Sequence, residues 1–200
     1  MSTQPYEIIA APFKVYAAPV GEAMPAINAT PAGNWALLGT SGDKNITEDG
    51  VTISHPQTLE MFRMLGTTGP VKAVRTEEDL SLSFVLADLT LEQYKHVLNL
   101  GSVSTVAAGV GTAGYKHLPI RRGLDVSERA LLIKGPSPYG DGWNLQYEIP
   151  RAVHSGEPEV VFQKGEPAGL LFEFMALEDP AAASDNLRFG RIVAQNASPL

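Results

Sequence analysis

Two hundred residues, 44% of them hydrophobic and 18% charged, make one ordinary globular domain with arms at most, and exclude a disordered chain. The absence of cysteine removes disulfide frameworks, thiolate metal sites and thiol nucleophiles. Fifteen Lys and Arg against 22 Asp and Glu leave a net charge of −7, the wrong sign for a protein that grips the phosphates of a nucleic acid.

Residues 1–34 contain Pro5, Pro12, Pro19, Pro25 and Pro31 and only the charges of Glu7, Lys14 and Glu22. Proline fixes φ and removes a ladder donor, so an extended N-terminal arm is expected here, with a strand at 13–17. The first residues lack the basic and apolar regions of a secretory signal. No run approaches the ~20 apolar residues of a membrane span. The expected setting is the cytoplasm or a particle assembled there, with no membrane anchor.

The domain itself is expected over 35–178, starting with short strands at 35–38, 51–54 and 70–76. The stretch from Gly39 to Gly69 is too long for a simple hairpin loop. From Glu77 to Leu86 the apolar residues Leu80, Leu82, Phe84 and Leu86 alternate with Ser81 and Ser83, the pattern of one strand with one buried face. Thr90 and Gln93 have the spacing of a capping box, and Leu91, Tyr94, Val97 and Leu98 form an apolar stripe. They predict a helix, closed at Asn99 or Gly101, that packs across the sheet.

Residues 100–114 carry no charge and read as a long flexible loop. Strands are expected next at 129–134, 143–149, 160–163 and 170–175, the last apolar on both faces through Leu171 and Met175. Pro180 and the alanines at 181–183 make 179–200 a C-terminal arm that orders on a partner. The fold class is therefore mainly β with one flanking α-helix, a β-sandwich or barrel with a long loop and extended terminal arms.

Catalytic chemistry is poorly furnished. Gly109 to Gly114 fits G-x-G-x-x-G but follows a helix rather than a strand, against the needs of a dinucleotide site. His55, His96, His117 and His154 have no paired metal-ligand spacing, and no Gly-x-Ser-x-Gly elbow occurs. Glu77, Glu78 and Asp79 stand at a strand edge without the apolar surroundings that would raise a carboxyl pKa for acid–base work. Neither an enzymatic activity nor a cofactor or metal is expected.

Charge is distributed in blocks. Residues 40–92 hold nine acids and four bases, whereas 116–134 hold five bases and two acids. Complementary blocks either pair within one subunit or meet between copies, where they set register. The inter-subunit candidates are Asp43, Glu48 and Asp49 on the acidic side and Arg121, Arg122 and Arg129 on the basic side.

The order of elements resembles that of the tail tube proteins of long-tailed, siphophage-type bacteriophages. The resemblance runs from Trp35 to Gly39, through the acidic hairpin Ile46 to Ile53 and the excursion Gln57 to Thr76, into Leu80 to Tyr94, where a strand passes into a capped helix. It implies a β-sandwich or barrel assembled as hexameric rings that stack into a hollow tube conducting DNA during ejection. It also implies a tape measure protein, a tail terminator and tail-tip proteins as partners, a virion location, and no enzymatic activity.

A channel for DNA must not grip it, because each phosphate-binding cation adds affinity and drag. The candidate lumen-facing residues are therefore polar strand positions opposite the apolar face: Glu77, Asp79, Ser81 and Ser83 on one strand, Asn144, Gln146 and Glu148 on another. The rival readings are another ring-forming virion protein (tail tip, tail terminator or head–tail joining) and a carbohydrate-binding β-sandwich, the latter suggested by Trp35, Trp143, Tyr139 and Tyr147.

Overall fold

The computed structural model describes residue 5 and residues 7–198, and its 36% strand against 6% helix makes the protein a mainly β domain with one short helix. The strands are β1 (Lys14–Ala18), β2 (Ala36–Leu37), β3 (Thr52–Ser54), β4 (Gln57–Phe62), β5 (Lys72–Glu78) and β6 (Ser81–Leu86), followed after the helix α1 (Leu91–Tyr94) by β7 (Ser104–Val106), β8 (Tyr115–His117), β9 (Glu128–Pro136), β10 (Asn144–His154), β11 (Leu170–Ala176) and β12 (Arg191–Ala194).

Eight strands form one antiparallel sheet in the order β2-β1-β9-β10-β11-β6-β3, with β12 also beside β10; β4–β5 and β7–β8 are separate hairpins. The sheet divides at β10, whose residues 145–148 pair with β12 while residues 152–154 pair with β11. Between these halves the register with β9 shifts, from Ile149 to Ala152. Pro150 stands at the shift, and a residue without an N–H cannot continue the ladder there.

Because the sheet bends at that point, its two halves share one apolar interior. Val15, Ala17, Leu131, Ile133 and Ile149 from one half meet Leu82, Phe84, Leu170, Phe172 and Phe174 from the other. Phe84 and Phe172 stack with centroids 5.0 Å apart. Period-two alternation places Leu82, Phe84 and Leu86 inward and leaves Ser81 and Ser83 half-exposed. The sheet ends at β2 and β3 without closing into a barrel. The chain from β2 to β3 spans the gap instead: Leu38 N donates to Val15 O at 2.8 Å, and Thr47 N donates to Val85 O at 3.0 Å.

The proline-rich arm is only partly an arm. Its strand, β1, starts at Lys14, and residues 19–35 then fold back over the second face of β1 and β9, where Trp35 buries Tyr16, Ala18, Ala130 and Leu132. Trp35 Nε1 donates to Ala23 O at 3.0 Å, and Lys134 Nζ donates to Ile27 O at 2.8 Å and to Ala29 O at 2.5 Å. Both faces of β9 are therefore buried.

Several expected elements differ. The predicted strand 77–86 is two elements in two sheets: the chain turns at Asp79, whose N–H donates to Pro56 O at 3.0 Å, so Glu77 belongs to the β4–β5 hairpin. That hairpin occupies much of the excursion for which the short strand at 70–76 was the only expected element. The uncharged loop contains β7, and its glycines form the turn into β8, where Gly109 and Thr112 exchange backbone hydrogen bonds of 3.0 and 3.1 Å. No helix follows those glycines. Residues 160–163 form no strand. The C-terminal arm supplies β12 to the main sheet without any partner chain.

The helix is a single turn rather than the longer element expected, and of its stripe Val97 and Leu98 enter the core and Tyr94 packs against it, while Leu91 does not. Thr90 makes no side-chain cap. Asp88 takes its place: Oδ1 accepts from Thr90 N at 3.0 Å and Oδ2 from Thr40 N at 2.7 Å. The turn closes at Asn99 and Leu100, both at positive φ, with Leu100 N bonded to Lys95 O at 2.8 Å.

Candidate functional site

The candidate lumen residues do not form one surface. Ser81 and Ser83 lie on the outer face of β6, and the register places Ser83 between Thr52 and Glu173, and Ser81 between Ser54 and Met175. The result is a small-residue, largely polar strip across β3, β6 and β11, with one carboxylate and no lysine or arginine. Glu77 lies off this strip, exposed on β5 and accepting from Thr58 Oγ1 at 2.9 Å; Asp79 lies in the break.

Gln146 and Glu148 are corrected more sharply, being 1% and 4% exposed. Gln146 Nε2 donates to Pro25 O at 2.9 Å and to Glu148 Oε1 at 2.5 Å, and Arg191 Nε donates to Glu148 Oε2 at 2.6 Å. The alternation that marked them as surface positions is intact. The surface is gone because residues 19–35 cover it and β12 brings Arg191 beside it. Asn144, half-buried at the start of β10, is tied to Gln195 through Gln195 N at 2.8 Å.

Of the inter-subunit candidates, Asp43, Glu48 and Asp49 line one open cleft together with Phe13 and Val51. Arg121 and Arg122 are exposed. Arg129 is not: it is 2% exposed and points into the core, sharing the strand face of Leu131 and Ile133. Period-two parity from those two leucine and isoleucine positions was a readable signal for this, overridden by the residue's charge. No ion pair joins Asp43, Glu48 or Asp49 to Arg121, Arg122 or Arg129 among the described residues, although the two blocks do pair within the subunit through Lys116 Nζ and Glu92 Oε1 at 2.6 Å.

Trp35 is buried, which removes one of the aromatics suggested for a sugar platform. Tyr139, another of them, is exposed, but most of the large exposed apolar side chains lie elsewhere. Leu59, Met61, Phe62, Leu65 and Val74 are exposed on β4–β5, every residue of whose two strands is exposed, and Val110, Tyr115, Ile120 and Leu124 are exposed on and after β7–β8.

Around Arg129 the fold gathers groups that are remote in sequence. Its Nη2 donates to His96 O at 2.9 Å, its Nη1 lies 2.8 Å from His96 Nδ1, and its guanidinium stands 5.2 Å from the centre of the Phe174 ring. His154 packs edge-on against Phe174 with centroids 5.6 Å apart. Burial first, and then the charge of Arg129, hold His96 down to about 3. Burial likewise lowers Arg129 to about 10 and, ahead of the charges of Arg122 and Arg129, His154 to about 4. At neutral pH the cluster is one guanidinium among neutral imidazoles.

No protein-family model matches the chain, and no curated protein matches it.

Proposed function

We propose that this chain is a structural virion subunit that assembles through itself into stacked rings, six copies to a ring as the resemblance to siphophage tail tube proteins implies, forming the tube through which DNA is ejected. The observation that carries this reading is the β4–β5 hairpin. An isolated two-stranded hairpin is marginal in water, yet this one is exposed along both strands and displays Leu59, Met61, Phe62 and Leu65. Leu59 and Met61 stand on one face and Phe62 and Val74 on the other, and exposed apolar side chains on both faces of a hairpin belong to interfaces. Stacked copies supply the missing surface.

The open ends of the main sheet at β2 and β3 favour the same reading, since unpaired strand edges are completed by another chain. In the tube, the bent sheet serves as the tail-tube sandwich, and the sheets of neighbouring subunits together complete the barrel. The strip of Thr52, Ser81, Ser83 and Glu173, which presents no cation to a phosphate, is the part of the fold best suited to face passing DNA. The tape measure protein inside, a terminator above and tail-tip proteins below complete the expected partners, in a tail assembled in the host cytoplasm.

Negative-stain electron microscopy of the concentrated, purified chain tests the proposal. Open-ended tubes of uniform width are expected. Discrete rings alone would transfer the chain to a tail-tip, terminator or head–tail joining role, and a protein that stays monomeric at every concentration, with or without a tail-tip preparation to nucleate growth, would sink the proposal.

A further inference from the structure

At the end of the core, beneath the loop that precedes β9, two polar atoms are buried without a hydrogen-bond partner: Arg129 Nε and His154 Nε2. Both side chains line a cavity of about 170 Å³, together with Val97, Asn99, Arg122 and Ser127. A water molecule occupies about 30 Å³, so the space suits a group of a few heavy atoms. Asp125 is the one carboxylate among the lining residues, and it forms no ion pair with Arg122 or Arg129 among the described residues.

The guanidinium is therefore buried with no opposite charge. Its partners in hand are a neutral imidazole, a backbone carbonyl and an aromatic face, none of which carries the negative charge that a desolvated cation demands. Arg122, exposed at the cavity rim, adds a second cation.

The cavity wall is also held in place. Asn99, in the left-handed region at φ 61, donates through Nδ2 to Arg122 O at 2.7 Å and to Asp125 O at 2.6 Å, and its Oδ1 accepts from Ser127 N at 2.5 Å. One side chain thus fixes the loop that carries Arg122 against the turn that closes the helical segment.

We propose that this cavity binds a compact oxyanion, a carboxylate or phosphate group, drawn by the uncompensated charge of the Arg129 guanidinium, with the neutral His154 ring as part of the wall and Arg122 closing the mouth. The anion supplies the charge that the core lacks. Its source is either a free anion or a carboxylate of a second copy, and the site stands whether or not the chain builds a tube.

The full chain, labelled with ¹⁵N, gives a separate Nε–Hε signal for Arg129, and sodium phosphate is titrated against sodium chloride at equal ionic strength. A saturable shift of the Arg129 signal with phosphate, absent with chloride, is expected. Arg122→Ala, a change at an exposed position, should weaken the response about tenfold, the loss of one charge-assisted hydrogen bond, while the remaining spectrum stays in place. Arg129→Met should abolish the response of His154. If phosphate leaves Arg129 and His154 unmoved, or chloride moves them equally, the site is wrong. Without phosphate, an Arg129 signal that moves with protein concentration assigns the anion to a second copy, and one that does not assigns it to a free anion.

Discussion

Arg129 and His96 meet through two contacts, Nη2 to the backbone carbonyl at 2.9 Å and Nη1 to the ring nitrogen Nδ1 at 2.8 Å. The second requires His96 to remain neutral as an acceptor, so the contact is sensitive to acid. His96 is held down to about 3 and His154 to about 4 in the folded chain, against about 6.5 when unfolded. Below pH 6.5 the unfolded state takes up protons that the folded state refuses, so stability falls as pH falls. By pH 5 the loss is on the order of 2 kcal/mol for His96 and smaller for the more exposed His154, whose charge solvent screens. Urea unfolding from pH 7.5 to 4.5 should show this decline. His96→Asn should remove more than half of it, and a wild-type profile that is flat above pH 5 would contradict the neutral pair.

Asp88 holds the entrance of the helical turn to the chain that spans the open side of the sheet, by accepting from Thr90 N and Thr40 N. Burial raises its pKa, but the hydrogen bonds from Thr40 and Thr90 outweigh that effect and hold the carboxyl below its ordinary value. Asp88→Ala should cost about 1–2 kcal/mol, two charge-assisted bonds whose donors, on the exposed residues Thr40 and Thr90, water can partly satisfy. Thr90→Ala should cost under about 0.5 kcal/mol, because its hydroxyl caps nothing. Denaturant midpoints of the two variants decide between Asp88 and the capping box; equal losses would refute this assignment.

Gly190 sets how closely β12 approaches β10. Its φ is +108°, and a Cβ there would lie 1.8 Å from the carbonyl oxygen of Glu148. Backbone cannot yield by that amount, so Gly190→Ala must displace β12 and with it Arg191, the partner of buried Glu148. Arg191→Ala removes only the ion pair and should cost about 2 kcal/mol or more, since it leaves a buried carboxylate with Gln146 alone. Gly190→Ala should cost more than Arg191→Ala by thermal unfolding. The reverse order would mean that β12 is held by its ladder and not by this close packing.

The strands of the main sheet were legible where alternation ran long, as in Leu82 to Leu86 and Leu145 to Ile149, because period two is set by the pleat itself. What alternation cannot convey is whether another segment covers the polar face. Gln146 and Glu148 therefore read as surface, although Pro25 and Arg191, remote in sequence, bury them. The strand break at Asp79 was hidden for a similar reason: Glu77 and Ser81 keep compatible parity across it, while the chain changes sheets. Arg129 and His154 were individually visible as charged and titratable residues, but their meeting over Phe174 is a product of the fold at long range.

The β4–β5 hairpin can be removed without disturbing its base. Pro56 O already accepts from Asp79 N at 3.0 Å, so the ends of residues 57–78 meet and a short Gly-Ser turn can join them. All residues of both strands are exposed, and the hairpin's own pairing is all that the deletion abolishes. The main core is untouched, so the melting temperature should change by no more than about 4 °C, the effect of about 1 kcal/mol in a domain of this size. If the exposed Leu59, Met61, Phe62 and Leu65 join successive rings, the same variant should form no tubes at concentrations where the wild-type chain assembles. Single substitutions Leu65→Asp and Phe62→Asp should each raise the concentration needed for assembly, read by sedimentation, with little effect on melting. Tubes that persist in the deletion variant would place the ring-to-ring contact on another surface, whereas a collapse in melting temperature would show that the hairpin supports the subunit itself.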